Sequence, residues 1–239
     1  MKLSPSITRL FGALLFTIGA IAGIALVTML TWANLEADFY SFYTFSRNPI
    51  QSLECPALMT RSETNEVTAV FENPTDRTST PNLRVQVSSP GLFRVEESQL
   101  SIASGSEEVL VVPVSKADID LRQFIIVNIY KFPAYQTPPQ QSRCGIFVLD
   151  VPGLTGEQIY WLLAIGGTAL MALGGYLWWT YSNTSVLSNK KPSRAPFFLM
   201  SMIILGIIFG SMRIWALSGL ILLISIMLVG TIIYIATQN

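Results

Sequence analysis

The chain has 239 residues, of which 51% are hydrophobic and 13% charged, and its 15 basic and 15 acidic residues leave no net charge. A chain without a basic field is a poor partner for nucleic acid, so we expect none. It contains no histidine, the commonest general base and metal ligand. These features favour a membrane protein with no cofactor and no enzyme activity.

The first apolar run covers residues 10–32 and follows a short tail, residues 1–9, that carries Lys2 and Arg9. An uncharged run of this length meets the roughly 20 residues needed to cross a bilayer. A cleaved signal peptide is the alternative, because a basic segment precedes the run. The run is longer than a typical signal sequence, and no clear cleavage site follows it. A retained transmembrane helix is therefore the preferred interpretation.

Residues 33–51 form an aromatic linker after this first run. Such density is typical of a segment at the lipid headgroups, and equally of a docking surface for a neighbouring protein. The candidate partner contacts in the linker are Phe39, Tyr40, Phe42, Tyr43 and Phe45.

Residues 52–151 read as about seven short strands separated by turns. In one of them Leu83, Val85 and Val87 alternate with polar residues, which predicts a strand with one buried face. Turn signals such as Asn73-Pro74 and Ser104-Gly105 separate the runs. This pattern predicts a two-sheet β-sandwich on the extracytoplasmic side of the membrane.

Glu66 to Ser115 contains a strand that ends in Asn-Pro-Thr, an alternating strand, an Ile-x-x-Gly turn and a valine-rich strand. This segment resembles the immunoglobulin-like accessory domains of bacterial cell-surface and membrane proteins. The resemblance implies a β-sandwich that serves adhesion, spacing or subunit contact, with no common chemistry. The antibody pattern of Cys, Trp and Cys is absent, since no Trp lies between the two cysteines.

The two cysteines, Cys55 and Cys144, lie near the beginning and the end of this domain. A redox pair or a metal site would need further ligands that the sequence does not supply. We therefore predict a structural disulfide, which also indicates an oxidising compartment.

The segment Tyr130–Gln141 is a proline-rich loop between the last two strands. Loops at the end of a sandwich are common binding elements, although a stiff connector fits the composition equally well. Its candidate contact residues are Tyr130, Phe132 and Tyr135.

Three further spans are predicted after the β domain, at residues 158–181, 197–211 and 215–236, and residues 182–196 form a basic loop. Because Lys and Arg concentrate in cytoplasmic segments, we expect both termini on the cytoplasmic side of the plasma (inner) membrane. The predicted fold class is an α-helical membrane protein with four transmembrane helices and an inserted all-β immunoglobulin-like sandwich domain.

Small residues recur at intervals of four along three of the predicted spans, which allows close approach of helices. They would pack the helices of this chain against each other or against those of another subunit. These candidate packing residues are Gly19, Gly23, Ala164, Thr168, Ala172, Gly206 and Gly210.

The leading functional hypothesis is a non-catalytic accessory or scaffold subunit of a larger membrane protein complex, with the lipid bilayer and other membrane subunits as partners. A membrane-anchored receptor for an envelope peptide, glycan or protein is the alternative. A small oligomeric transporter or channel ranks third, because the spans lack the internal ionisable residues that mark ion pathways.

Overall fold

The computed structural model describes residues 5–40, 46, 48–50, 52–134, 137–182 and 195–237. The chain divides into two compact units. The helical unit contains Met1–Thr31 and Ile159–Asn239, and the β-rich unit contains Trp32–Gln158.

Long apolar helices make up the helical unit. Helix α1 contributes its residues up to Thr31, and a continuous helical stretch after the β-rich unit contains a short π-helical segment at Leu162–Gly166. The α-helices are α1 (Pro5–Tyr40), α2 (Gly156–Trp161), α3 (Gly167–Ser182), α4 (Ala195–Ser211) and α5 (Trp215–Thr237).

The predicted fold class is wrong in its count of four transmembrane helices. In the described part of the chain, two helical stretches are long and apolar enough to cross a membrane, Leu10–Tyr40 and Gly156–Thr180. Helix α4 (Ala195–Ser211) and the Trp215–Thr231 part of α5 are shorter apolar segments. At about 1.5 Å per residue, the 17 residues of α4 reach only about 25 Å, less than the ~30 Å of a hydrocarbon core. The predicted third span, residues 197–211, is itself shorter than the roughly 20 residues that a crossing needs.

Polar contacts join α1 to the helices at the other end of the chain within the helical unit. The hydroxyls of Thr31 and Ser218 lie 2.8 Å apart, and Ser218 also donates to the carbonyl of Gly206 at 3.0 Å. Both side chains are buried, and these hydrogen bonds satisfy polar groups that would otherwise be costly to bury.

The described residues of the β-rich unit form two sheets. Sheet A has three strands in the order β1-β3-β6, and sheet B has five in the order β2-β8-β7-β4-β5, with the β2–β8 pair parallel. The strands are β1 (Ser52–Glu54), β2 (Leu58–Thr60), β3 (Asn65–Glu72), β4 (Asn82–Ser89), β5 (Leu92–Gln99), β6 (Glu107–Val114), β7 (Phe124–Lys131) and β8 (Gln140–Leu149).

One apolar core lies between the two sheets, as expected for a β-sandwich. Val67 and Phe71 of sheet A belong to the same buried cluster as Val85 and Ile129 of sheet B. The alternation of Leu83, Val85 and Val87 puts all three side chains in this core, so the coarse prediction of a two-sheet sandwich is confirmed.

The β-rich unit is not all-β, because the last turns of α1 belong to it and lie on the outer face of sheet B. Trp32 stacks on Phe124 at a centroid distance of 6.4 Å, and Asp38 forms an ion pair with Arg143 at 2.9 Å. Residues 33–40 of the predicted linker 33–51 are therefore helical and packed. This corrects the second part of the predicted fold class.

Cys55 and Cys144 form the predicted disulfide, with their Cα atoms 6.6 Å apart. Cys144 lies on β8 in the core, and Cys55 follows β1 and packs against the same core from its edge. The bond joins positions 89 residues apart in sequence, so it restricts the unfolded chain strongly.

Candidate interaction surfaces

The outer face of sheet A is an apolar stripe framed by carboxylates. Val109 and Val111 of β6 are 52% and 47% exposed, beside the half-buried Val70 of β3. Residues on this face alternate with core residues, and none of β1, β3 and β6 contains Lys or Arg. The carboxylates that frame the stripe are Glu54, Glu66, Glu72 and Glu107.

Two of these carboxylates oppose each other directly. Glu72 pairs with Glu107 in the β3–β6 register, and both are exposed. Like charges at directly opposite positions of an antiparallel pair are destabilising. This end of the face therefore carries unbalanced negative charge.

The predicted packing glycines lie at close helix approaches in the helical unit. A β-carbon on Gly19 would lie 2.5 Å from the carbonyl oxygen of Gly167, and one on Gly23 would lie 2.5 Å from Ile203 Cγ2. One on Gly206 would meet Val27 at 3.1 Å, and one on Gly210 would meet Leu30 at 3.0 Å. These positions have little room for a larger side chain.

The alanine and threonine positions of the second predicted span contribute less to close helix packing than these glycines do. Ala164 and Thr168 are half-buried, with the Thr168 hydroxyl bonded to the Ala164 carbonyl, and Ala172 is exposed. The close approach in this span is made instead by glycines that the sequence analysis did not select. A β-carbon on Gly174 would lie 2.6 Å from the carbonyl oxygen of Gly12.

A search for glycines seven residues apart would have identified the contact between Gly12 and Gly174. Gly12 and Gly19 are seven apart, as are Gly167 and Gly174, and α1 and α3 meet with Gly12 beside Gly174 and Gly19 beside Gly167. A repeat of seven keeps one stripe of two helices in contact over successive turns. This repeat of seven is not visible when small residues are compared at intervals of four.

The aromatic residues of the predicted partner surface do not form one group among the described residues. Phe39 is 61% exposed, whereas Tyr40 packs edge-to-face on Phe93 at 6.0 Å. Phe42, Tyr43, Phe45 and Tyr135 lie outside the described residues.

Tyr130 and Phe132 form a small aromatic cluster at the end of β7. Both Tyr130 and Gln141 are paired strand residues, so the loop between β7 and β8 is shorter than the predicted segment Tyr130–Gln141. The rings of Tyr130 and Phe132 are 4.6 Å apart, and the guanidinium of Arg84 lies 5.4 Å from the Phe132 centroid. Arg84 is held by two hydrogen bonds to Glu97. Phe132, Arg84 and Glu97 line a cavity of about 330 Å³.

A second cavity, of about 190 Å³, lies beside the buried amine of Lys131. Its lining includes Ser52, Glu72, Thr137 and Gln140. Burial lowers the pKa of Lys131 from its ordinary value of 10.5, because the charged amine loses solvation. The sequence analysis did not select Lys131, since alternation along β7 predicts an apolar residue there.

Among the described residues, no group of three or more His, Cys, Asp or Glu side chains could hold a metal ion.

No family model matches the chain, and no curated protein matches it. Among solved structures, a red sea bream transglutaminase aligns at 13% identity and TM-score 0.34, over 42% of this chain and 16% of that one. The CARDB domain of the PF1109 protein from Pyrococcus furiosus, solved with di-metal ions, aligns at 11% identity and TM-score 0.34, over 41% of this chain and 90% of that domain.

A β-glucosidase from Listeria innocua aligns at 12% identity and TM-score 0.28, over 41% of this chain and 15% of that one. The chain thus spans only a small fraction of either enzyme that it matches. At these scores the likenesses carry no argument about function, and the functional case rests on the residues themselves.

Proposed function

We propose that the protein is a non-catalytic accessory or scaffold subunit of a larger membrane protein complex. The apolar stretches Leu10–Tyr40 and Gly156–Thr180 would hold it in the plasma (inner) membrane. The basic segments around Lys2 and Lys190 favour the cytoplasmic side for themselves and the periplasmic or extracellular side for the β-rich unit.

The observation that carries this proposal is the exposed apolar stripe on sheet A. Val109 and Val111 remain about half exposed, although branched apolar side chains gain free energy when they are removed from water. An exposed apolar patch with a polar rim is typical of a protein-binding site. The occupant is a polypeptide of another subunit that places apolar residues on the valines and Lys or Arg residues against the glutamates.

The position of β6 in sheet A also favours a polypeptide as the partner. It is the edge strand of sheet A, paired only with β3, so one side of its backbone has no strand partner within the sheet. A partner segment could add to this edge through main-chain hydrogen bonds while its side chains select the stripe. A bilayer surface fits less well, because anionic headgroups would repel the carboxylates.

The test is gentle detergent extraction from native membranes, followed by mass spectrometry of the proteins that co-purify with the full-length chain. We expect a stoichiometric set of membrane proteins with the wild type, and loss of at least one of them with Val109→Lys combined with Val111→Lys. Leu92→Lys is the matched control, since Leu92 is 78% exposed on the edge strand of sheet B.

Two outcomes would contradict the proposal. One is a wild-type protein that is monomeric and without partners in every mild detergent tried. The other is a lysine double variant that keeps all partners at wild-type stoichiometry. Increasing salt should weaken the retained complex, because part of the contact is between exposed charges.

A receptor for an envelope peptide or glycan is the second candidate, favoured by the cavity beside Phe132 and Arg84. An aromatic ring next to polar groups suits the apolar face and hydroxyls of a sugar. Phe132→Ala should abolish capture of a glycan or peptide under this hypothesis and leave co-purification of membrane subunits unchanged.

A further inference from the structure

Lys131 is a cation that the fold holds away from water. The residue is 3% exposed and ends β7, where its neighbour in β4 is the core residue Leu83. Its amine donates to Gln140 Oε1 at 3.4 Å, a long contact to a neutral group. Within the described residues no carboxylate lies within the 4.0 Å of an ion pair with Lys131.

An ammonium group carries three donors and needs acceptors when it is buried. A single long hydrogen bond to an amide leaves most of that capacity unused, and burial of an uncompensated charge is costly. An anion that enters from outside would supply the acceptors that this single contact does not.

The cavity beside Lys131 provides the space for such an anion. Its volume of about 190 Å³ is several times the ~30 Å³ that one water molecule occupies in the liquid. The hydroxyls of Ser52 and Thr137 line the same space and offer further hydrogen-bonding groups. An apolar wall is supplied by Val70.

The charges of the lining select a singly charged anion. Lys131 is the cation of the lining, and Glu72 contributes a carboxylate to the same cavity. Lys131 and Glu72 leave the lining with no net charge, so a bound monoanion adds one excess negative charge whereas a dianion such as hydrogen phosphate adds two, which costs more to hold away from water. A monoanion can also place its apolar part toward Val70.

We infer that this cavity binds a small monocarboxylate, with its carboxylate on the Lys131 amine and its short apolar chain against Val70. The ligand belongs to the class of acetate and propionate, bound by an ion pair and hydrogen bonds with no covalent step. Binding of this kind goes beyond the role of an accessory subunit and does not depend on it.

A bound carboxylate also changes the proton affinity of the amine. Burial lowers the pKa of Lys131, and a nearby anion favours the charged form and so raises it again. Affinity for the carboxylate should therefore fall as the pH rises through the pKa of Lys131, because the neutral amine no longer attracts the anion.

The experiment measures how fast the lysines of the full-length protein in detergent are acetylated by a small reagent, with peptide mapping by mass spectrometry. Sodium propionate is compared with sodium chloride at equal ionic strength. Lys116, which is exposed in the same unit, is the internal control. At about ten times the dissociation constant the rate at Lys131 should fall roughly tenfold, because only the unliganded fraction reacts, while Lys116 is unaffected.

Calorimetric titration with propionate gives a second readout that does not need Lys131 to react. Heat of binding should be present in the wild type and in Lys116→Met, and absent in Lys131→Met, which keeps an unbranched side chain of similar length without the charge. Equal protection of both lysines, or no heat in the wild type, would overturn the inference. Partner capture by sheet A is measured separately, so failure of one leaves the other standing.

Discussion

Gly145 lies directly under the backbone of Ala33. A β-carbon on Gly145 would overlap the carbonyl group of Ala33 and lie 3.2 Å from its Cα atom. The last turns of α1 can therefore lie on sheet B only because β8 has no side chain at this point. Both residues belong to the β-rich unit, so the contact is part of its internal packing.

Gly145→Ala should destabilise the β-rich unit by about 1–3 kcal/mol, the usual cost of forcing extra volume into a packed interior. Denaturant unfolding of the purified protein measures the loss, and hydrogen exchange should show reduced protection in residues 33–40. Ala33→Gly in the same background is the control. It should not rescue stability, since the overlap is with backbone atoms.

Gly19→Ala should weaken the packing of α1 on α3 in the helical unit. The new methyl group would lie 2.5 Å from the Gly167 carbonyl oxygen and 2.8 Å from the Met171 nitrogen, and we expect a cost of about 1–3 kcal/mol. Gly230→Ala is the matched control, because nothing lies within 4 Å of a β-carbon there. It should be neutral or stabilise α5 by up to about 1 kcal/mol through helix propensity. Thermal unfolding in detergent compares the two, and equal midpoints would contradict the expectation.

The turn between Asp120 and Gln123 carries two residues in an unfavourable backbone conformation. Leu121 and Arg122 have φ values of 47° and 70°, and the Gln123 amide donates to the Asp120 carbonyl at 3.2 Å. Positive φ at both central positions is the pattern of a type I′ turn, which Asn-Gly forms best. Leu121→Asn with Arg122→Gly should stabilise the β-rich unit by about 1–2 kcal/mol. The double alanine variant, which keeps both β-carbons, should show no such gain in denaturant midpoint.

Lys131 should give the β-rich unit a distinctive dependence on pH. Its pKa in the folded protein lies below the ordinary 10.5, so between these two values the unfolded chain binds more protons than the folded one. The free energy of unfolding therefore rises with pH across this interval. Lys131→Met should remove that part of the slope in denaturant unfolding curves, and Lys116→Met should keep it. Identical slopes in all three proteins would show that the amine titrates normally.

Local patterns predicted the parts of the fold that depend on local chemistry. The alternation at Val85 identified a half-buried strand, and the absence of other ligands around Cys55 and Cys144 left a disulfide as the simplest state. Each of these inferences needs only one segment or one pair of residues, and the structure agrees with each.

Features that depend on packing between distant segments could not be predicted from local patterns. Hydropathy places the end of the first apolar run at Trp32, yet α1 continues to Tyr40. Ala33 is 1% exposed and lies against Gly145 of sheet B. This close approach depends on a glycine more than a hundred positions away, which no local window includes. The pairing register between β4 and β7, which places Lys131 beside Leu83 at the end of the core, likewise joins residues far apart in sequence.

The disulfide would keep the two parts of the chain joined after proteolytic cleavage between its cysteines. Every peptide bond between Cys55 and Cys144 lies inside a covalent ring, because the bond joins the ends of that stretch. A protease that nicks the loop around Pro133 would therefore release nothing. The fragment with α1 and the fragment with α3, α4 and α5 would migrate as one species on a denaturing gel until a reductant separated them.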